Sequence, residues 1–224
     1  MKITLASLLI LAAFPAFAGE APVTFKLDTT APPKELKEPL HALLAHEAVH
    51  LTDARGSAYA TLWFRKVIPV RAAPEQVKNG LTYREVPQTT LVGALQLHQP
   101  WIDFRNQKIA AGVYTLRMGY QPMDGDHQGV TPHTEFLLLV PAAMDAKPDA
   151  MEIKDLIELS ANVPGGSHPG VMSLFPNDKP EAEPKMVGKP GNVWVLNCRR
   201  PVGVEGTVTT LGFGVVVQGH ADRD

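Results

Sequence analysis

Several segments of the chain alternate apolar and polar residues with a period of two. In residues 23–28 the apolar Val23, Phe25 and Leu27 alternate with polar neighbours, whereas residues 136–140 are apolar throughout. Alternation is typical of a strand with one buried face, and a short apolar run is typical of a central strand. The segments with strand-like patterns are 23–28, 49–53, 58–68, 90–97, 114–120, 136–140, 193–198 and 210–217. The chain is therefore predicted to be mainly β, an antiparallel β-sandwich of about eight strands.

Two short segments show the period of an α-helix instead. Pro39 suits the first turn of a helix that would bury Leu40, Leu43 and Leu44. Asp149 is a candidate cap for a second helix, whose inward side would carry residues spaced at i, i+3, i+4 and i+7. Those residues are Ile153, Leu156, Ile157 and Ser160. We expect two short helices, and a solvated loop over the proline-rich and charged residues 176–191.

The first eighteen of the 224 residues have the features of a secretory signal. Lys2 precedes an apolar stretch from 5 to 17, and the small residues Ala16 and Ala18 frame the expected cleavage site. The stretch is too short to span a bilayer, which needs about 20 residues. We expect a signal peptide over 1–18, a single β-sandwich domain over 19–224, and a secreted or periplasmic protein without a membrane anchor.

The charge balance narrows the choice of partners. The chain has 21 basic and 23 acidic residues, for a formal net charge of −2. Nucleic acids and anionic membranes attract proteins with a basic excess, so neither is an expected partner. The one cysteine, Cys198, follows Trp194 and Leu196 at a spacing of two, so the three side chains share one face of a strand. This predicts a buried, unreactive thiol. A small ligand or a protein remains as the partner, and its identity is open.

One stretch of the chain carries a recognisable pattern. Residues 103–117 read DFRNQKIAAGVYTLR, residues 121–127 read QPMDGDH, and residues 135–139 read EFLLL. The pattern resembles a group of uncharacterised secreted bacterial proteins that has no assigned activity. Its AGVYTL element is also similar to one in prealbumin-like and immunoglobulin-like sandwiches, where a glycine turn leads into a core strand. The resemblance implies a sandwich fold and implies no catalytic residue.

Residues 46–50 match the H-E-x-x-H pattern of zinc hydrolases through His46, Glu47 and His50. On a helix the two histidines share one face and bind zinc, while the glutamate activates the bound water. Here the preceding helix is expected to end near Ala45, and residues 49–53 to start a strand. A strand would separate the two histidines by about 13 Å, at about 3.3 Å per residue, which is too far for one zinc ion. A zinc-dependent hydrolase is therefore the alternative function.

A second pattern has the spacing of a calcium-binding loop. Side-chain oxygens stand at its first, third, fifth and twelfth positions, and glycine stands at the sixth. The residues are Asp124, Asp126, Gln128, Gly129 and Glu135. Because the flanks read as strands, the site would be a strand-loop-strand variant and not an EF-hand. An ordinary hairpin loop with Asp-Gly turn chemistry is the other interpretation.

Histidines add a further possibility at this loop. It holds His127 and His133, and a glycine-rich loop at 164–170 holds His168. If the two loops lie at one end of the sandwich, His127 and His168 would share a polar pocket with Asp126 and bind a transition metal or a small ligand. The sequence thus predicts a secreted, non-catalytic binding or structural module of unknown ligand and cofactor, with calcium or a transition metal as candidates.

Overall fold

A computed structural model describes residues 23–122, 133–163 and 168–220 of the chain. Its strands are β1 Thr24–Thr29, β2 Leu44–Thr52, β3 Ala58–Arg65, β4 Ile68–Pro69, β5 Leu91–Leu97, β6 Trp101–Ile102, β7 Lys108–Ile109, β8 Gly112–Tyr120, β9 Glu135–Pro141, β10 Val171–Phe175, β11 Lys185–Lys189, β12 Val193–Val204 and β13 Thr207–Gln218. Its helices are α1 Glu38–His41, α2 Pro74–Asn79 and α3 Ile153–Ala161, with a 3₁₀ turn at Tyr83–Glu85. The prediction of a mainly β protein is confirmed.

One curled sheet contains most of these strands. In the described part of the chain, ten strands follow the order β1-β2-β3-β5-β8-β9-β10-β13-β12-β11. Neighbours along this path are antiparallel, whereas β4 adds to β12 in parallel through Ile68 and Pro69. The short strands β6 and β7 form a separate hairpin. The architecture is a half-barrel, and the predicted eight-stranded sandwich is confirmed only in its β class.

Strand β10 is the reason that the sheet is continuous. Its first residues pair with β9, as in Val171 opposite Leu138 and Ser173 opposite Phe136. Its last residue, Phe175, pairs with Gly214 of β13 instead. One strand therefore joins a first arm, β1 to β9 along the path, to a second arm, β13-β12-β11.

The inner faces of the two arms form the main core. Leu62 and Phe64 of the first arm and Phe213 and Val215 of the second are fully or almost fully buried. The rings of Phe64 and Phe213 meet across the interior with centroids 6.1 Å apart. Cys198 lies in the same core, and burial raises the pKa of its thiol to about 12. The predicted burial of this cysteine is confirmed.

The two predicted helices are present, with shorter bounds. Helix α1 ends at His41, and Leu44 is already part of β2, although both Leu40 and Leu44 are buried as expected. Helix α3 covers the outer side of β9, where Leu156 packs with Leu138 and Val140. Among the described residues, no helix has the length and apolar character needed to cross a membrane.

Two further elements differ from the sequence-based expectation. Helix α2 has no buried residue, so its sequence lacks the apolar period that would predict a helix. The region 176–191 was expected to be a solvated loop, but it contains β11, an edge strand that pairs with β12 from Lys185 to Lys189. Backbone hydrogen bonds hold this strand, and its side chains stay largely exposed, which is why its composition resembles a loop.

Candidate functional site

The H-E-x-x-H residues lie on strand β2. His46 and Glu47 are exposed there, and His50 is half-buried. A strand was expected from residue 49 after a helix ending near Ala45, but the strand already begins at Leu44, so this segment lacks the helical face on which such a motif binds zinc. Glu47 forms a 3.2 Å ion pair with Arg200 of β12. The supposed catalytic base is thus paired with the second arm of the sheet.

His50 belongs to a different cluster, on the outer face of the first arm. Its Nδ1 lies 3.2 Å from the hydroxyl oxygen of Thr61, and its Nε2 lies 3.0 Å from that of Thr30. The Nε2 of His98 lies 2.9 Å from the same Thr61 oxygen. We call His50 and His98, which meet at Thr61, the histidine pair. Sequence reasoning did not single out His98, because its approach to His50 depends on the strand order β2-β3-β5.

Most of the predicted calcium loop lies outside the described residues. This applies to Asp124, Asp126, His127 and Gln128, so their convergence stays a prediction. Glu135 is described: it opens β9 opposite Tyr120. The backbone N–H of Gln121 donates to the carbonyl of Thr134 over 2.8 Å, which closes the neck of the loop.

The described histidines of the two loops lie at opposite ends of the β9–β10 pair. His133 precedes β9 and contacts the ring of Phe175, at the end of β10, with centroids 4.4 Å apart. Burial lowers the pKa of His133. His168 is exposed and precedes the start of β10, where Gly170 bonds to Leu139. The antiparallel register therefore separates His133 from His168 along the pair, and the proposed pocket of His127 with His168 is outside what the structure describes.

Two turns of the same design connect β2 to β3 and β6 to β7. Asp53 accepts hydrogen bonds from the backbone N–H groups of residues 55 and 57, and Asp103 does the same for residues 105 and 107. The fourth residue of each turn, Gly56 or Asn106, has a positive φ. Glycine and asparagine tolerate that conformation best, so the pattern Asp-x-Arg-Gly/Asn is a sequence signal for both turns.

The first of these turns borders a cleft of about 670 Å³ at one end of the curled sheet, which we call the end cleft. Other walls come from the β5–β6 connection, the β11–β12 turn and the end of β13. The polar side chains in its lining are Asp53, Arg55, Gln99, Asn192, Gln218 and His220. Small-molecule sites in proteins are typically clefts of about 300–1,000 Å³ with a few polar groups among apolar ones, and the end cleft fits this description.

Two aromatic side chains fix the inner wall of the end cleft. The hydroxyl of Tyr59 and the indole N–H of Trp101 both donate to the carbonyl of Val217, over 2.8 and 3.2 Å. Burial raises the pKa of Tyr59 far above its ordinary 10.0, so its hydroxyl keeps its proton and its hydrogen bond. The wall is therefore held in place before any ligand binds, which lowers the entropy cost of binding.

A second cavity, of about 380 Å³, lies between α3 and the segment that follows β9. Beneath it, Arg117 and Asp145 form a fully buried, two-pronged ion pair, with Nε to Oδ2 at 2.7 Å and Nη2 to Oδ1 at 2.9 Å. Further guanidinium hydrogens go to the carbonyls of Thr89, Lys147 and Asp149. Every donor of the guanidinium is thus engaged in tying this segment to the sheet, and the network has a structural role.

Across the described residues, no group of three or more His, Cys, Asp or Glu side chains is arranged to hold a metal ion. A scan of protein-family models, a search of curated proteins and a search of solved structures each gave no match to this chain.

Proposed function

We propose that the chain is an exported, non-catalytic binding module that holds a small polar ligand in the end cleft. The observation that carries the proposal is the cleft itself, whose size suits a small molecule and whose aromatic wall is already fixed. The three amide side chains Gln99, Asn192 and Gln218 offer both donors and acceptors. The exposed guanidinium of Arg55 favours a ligand with a negative or strongly accepting group.

Export rests on the predicted signal over residues 1–18, which precede the described part of the chain. The non-catalytic assignment rests on the site chemistry. In the end cleft, Asp53 is occupied by the backbone N–H groups of its own turn, and those bonds lower its pKa. A carboxylate held ionised in this way is a poor proton donor near neutral pH.

A fragment screen tests the end cleft directly, because it samples many ligand chemistries at once. Polar fragments, including monosaccharides and small carboxylates, should bind with NMR shift changes at the cleft residues. Arg55→Ala and Asn192→Gly should each weaken the best fragments severalfold, because each removes a polar contact. Glycine suits position 192, since Asn192 has a positive φ of 57°.

Asn162→Ala is the matched control, because Asn162 is an exposed amide that lines the cavity beside α3. It should leave fragment binding at the end cleft unchanged. Fragments that gather beside α3, and that respond to Asn162→Ala but not to the cleft variants, would contradict the proposal.

We also propose that the loop 121–135 binds calcium, as its spacing predicts. The closed neck between Gln121 and Thr134 supports this, because it keeps the two ends of the ligand sequence together. Calcium at a hundredfold excess over Kd would then stabilise the fold by about 2.7 kcal/mol, seen as a rise in melting temperature. Asp126→Ala should abolish the rise, whereas the control Asp155→Ala on α3 should keep it. An equal response in both variants would leave the loop as a plain hairpin.

A further inference from the structure

We propose that His50 and His98 together bind a divalent transition-metal ion on the outer face of the first arm. The geometry that points to this is convergence: His50 Nδ1 and His98 Nε2 both lie within 3.2 Å of one oxygen atom, the hydroxyl of Thr61. One imidazole nitrogen on β2 and one on the residue that follows β5 are therefore aimed at one place. The site shares no residue with the end cleft or with the loop 121–135.

Hydrogen bonds of the sheet fix the backbone positions of the two histidines. His50 pairs directly with Thr61 across β2 and β3, and Thr61 pairs with Gln96 across β3 and β5. His98 is two residues beyond Gln96, on the same side of the chain, and its backbone N–H donates to the Tyr59 carbonyl over 2.8 Å. A site whose backbone is already held in place loses little entropy when a ligand binds, which favours affinity.

The second nitrogen of His50 has the partner that a metal-bound histidine needs. When Nδ1 binds a metal ion, Nε2 carries the proton, and the hydroxyl oxygen of Thr30 lies 3.0 Å away to accept it. Such an outer hydrogen bond fixes the tautomer and orientation of a histidine ligand. Neutral imidazole suits copper, nickel and zinc, whereas calcium and magnesium prefer oxygen ligands.

The site is open to solvent and tolerates a cation. His98 is exposed and His50 is half-buried, so an ion bound to both could complete its coordination with water. Imidazole nitrogens bind zinc at about 2.0–2.1 Å, so the exposed His98 would have to move towards the ion. Lys26 lies opposite His50 on β1, but its ammonium is paired with Asp28 over 2.8 Å.

Thr61 also limits how many protons the pair can carry. Its single hydroxyl hydrogen can serve one histidine while the other histidine donates to its oxygen. If both rings were protonated, two N–H donors would point at that oxygen and the buried hydroxyl hydrogen would lose its partner. At least one of the two rings therefore directs a nitrogen lone pair at Thr61, and a lone pair is what a metal ligand must offer.

Titration of the untagged protein with Cu²⁺ and with Zn²⁺, followed by calorimetry, tests the proposal. We expect one ion per chain, with Cu²⁺ the tighter, and nitrogen coupling from two imidazoles in the electron paramagnetic resonance spectrum of the copper form. His50→Ala and His98→Ala should each weaken binding by about tenfold or more, since loss of even an outer partner of a ligand costs that much.

His46→Ala and His220→Ala are the controls, because both histidines are exposed and neither belongs to the pair. They should leave the affinity and the nitrogen coupling unchanged. Melting curves of every variant separate loss of a ligand from loss of the fold, and exposed His98 is the safer substitution. Absence of stoichiometric binding, or binding that survives His98→Ala, would overturn the proposal and leave the cluster as a hydrogen-bond chain.

Discussion

Asp53 and Asp103 occupy the same place in two turns of the same design, but their surroundings differ. Asp53 is partly exposed, and the Ser57 N–H bond is the main cause that lowers its pKa. Asp103 is fully buried and accepts four hydrogen bonds, two of them from Gln107. Burial nevertheless outweighs these bonds and raises its pKa. The same turn thus gives opposite pKa shifts, because the burial of Asp103 outweighs even its additional hydrogen bonds.

We expect a carbon-detected NMR titration to place the Asp103 midpoint above 3.8 and the Asp53 midpoint below it. The contributions of the two carboxyl groups to the free energy of unfolding then depend on pH in opposite directions. That of Asp103 is complete below 3.8 and is lost as the pH rises through its raised pKa, whereas that of Asp53 is present above 3.8 and is lost as the pH falls through its lowered pKa. Midpoints in the reverse order would show that hydrogen bonds outweigh burial at Asp103.

The buried pair of Arg117 and Asp145 supports a second prediction for single residues. Asp145→Ala leaves the guanidinium without its counter-charge in a site with no solvent exposure, which should cost about 3–5 kcal/mol in urea unfolding. The exposed pair of Lys185 and Glu181 is the control, and Glu181→Ala should cost about 0–1 kcal/mol. Similar losses in the two variants would be inconsistent with a structural role for the buried network.

The strands and helices show which elements the sequence could reveal. The period of two predicted β8 and β13 because alternate apolar residues of each, such as Leu116 and Phe213, enter the shared core, although the structure buries both faces of these strands. Strand β11 and helix α2 were missed because neither buries a continuous apolar face. Burial of Arg117 was also hidden, because its position on the polar side of β8 is covered by chain distant in sequence.

Strand β13 depends on a glycine that a larger residue cannot replace. A Cβ added at Gly212 would lie 2.0 Å from the carbonyl oxygen of Asn177, whose side chain is held by the carbonyls of Cys198 and Phe213. Gly212→Ala should therefore destabilise the protein by about 1–3 kcal/mol in thermal unfolding. Gly203→Ala on β12 is the control, because its Cβ would meet only Val67 Cγ1 at 3.2 Å. A larger loss at Gly203 would contradict this packing argument.

At the scale of the whole molecule, the half-barrel follows from β10 and from contacts between its two arms. Periodicity identified the strands, but it carried no information on how β10 changes partners between Ser173 and Leu174. Pairing order depends on contacts between residues far apart in the chain, and so does the approach of His98 to His50. For this reason the sequence predicted the β class, while the curl of the sheet and both the end cleft and the histidine pair needed the structure.

Arg200 joins the two arms, and its substitution tests what holds them together. Its guanidinium lies 4.7 Å from the centre of the Phe64 ring and pairs with the half-exposed Glu47, but its Nε is buried without a partner in the described structure. A buried polar group without a hydrogen bond costs about 1–3 kcal/mol, which offsets the contacts that the side chain makes.

Arg200→Met keeps the packing on Phe64 and removes the unpaired group, so it should leave the free energy of unfolding unchanged or raise it. Arg200→Ala also removes the packing and should lower that free energy by about 2–5 kcal/mol, the usual loss for a long buried side chain cut to alanine. Urea unfolding of both variants decides: an Arg200→Met protein as unstable as Arg200→Ala would show that the charge, and not the packing, joins the arms.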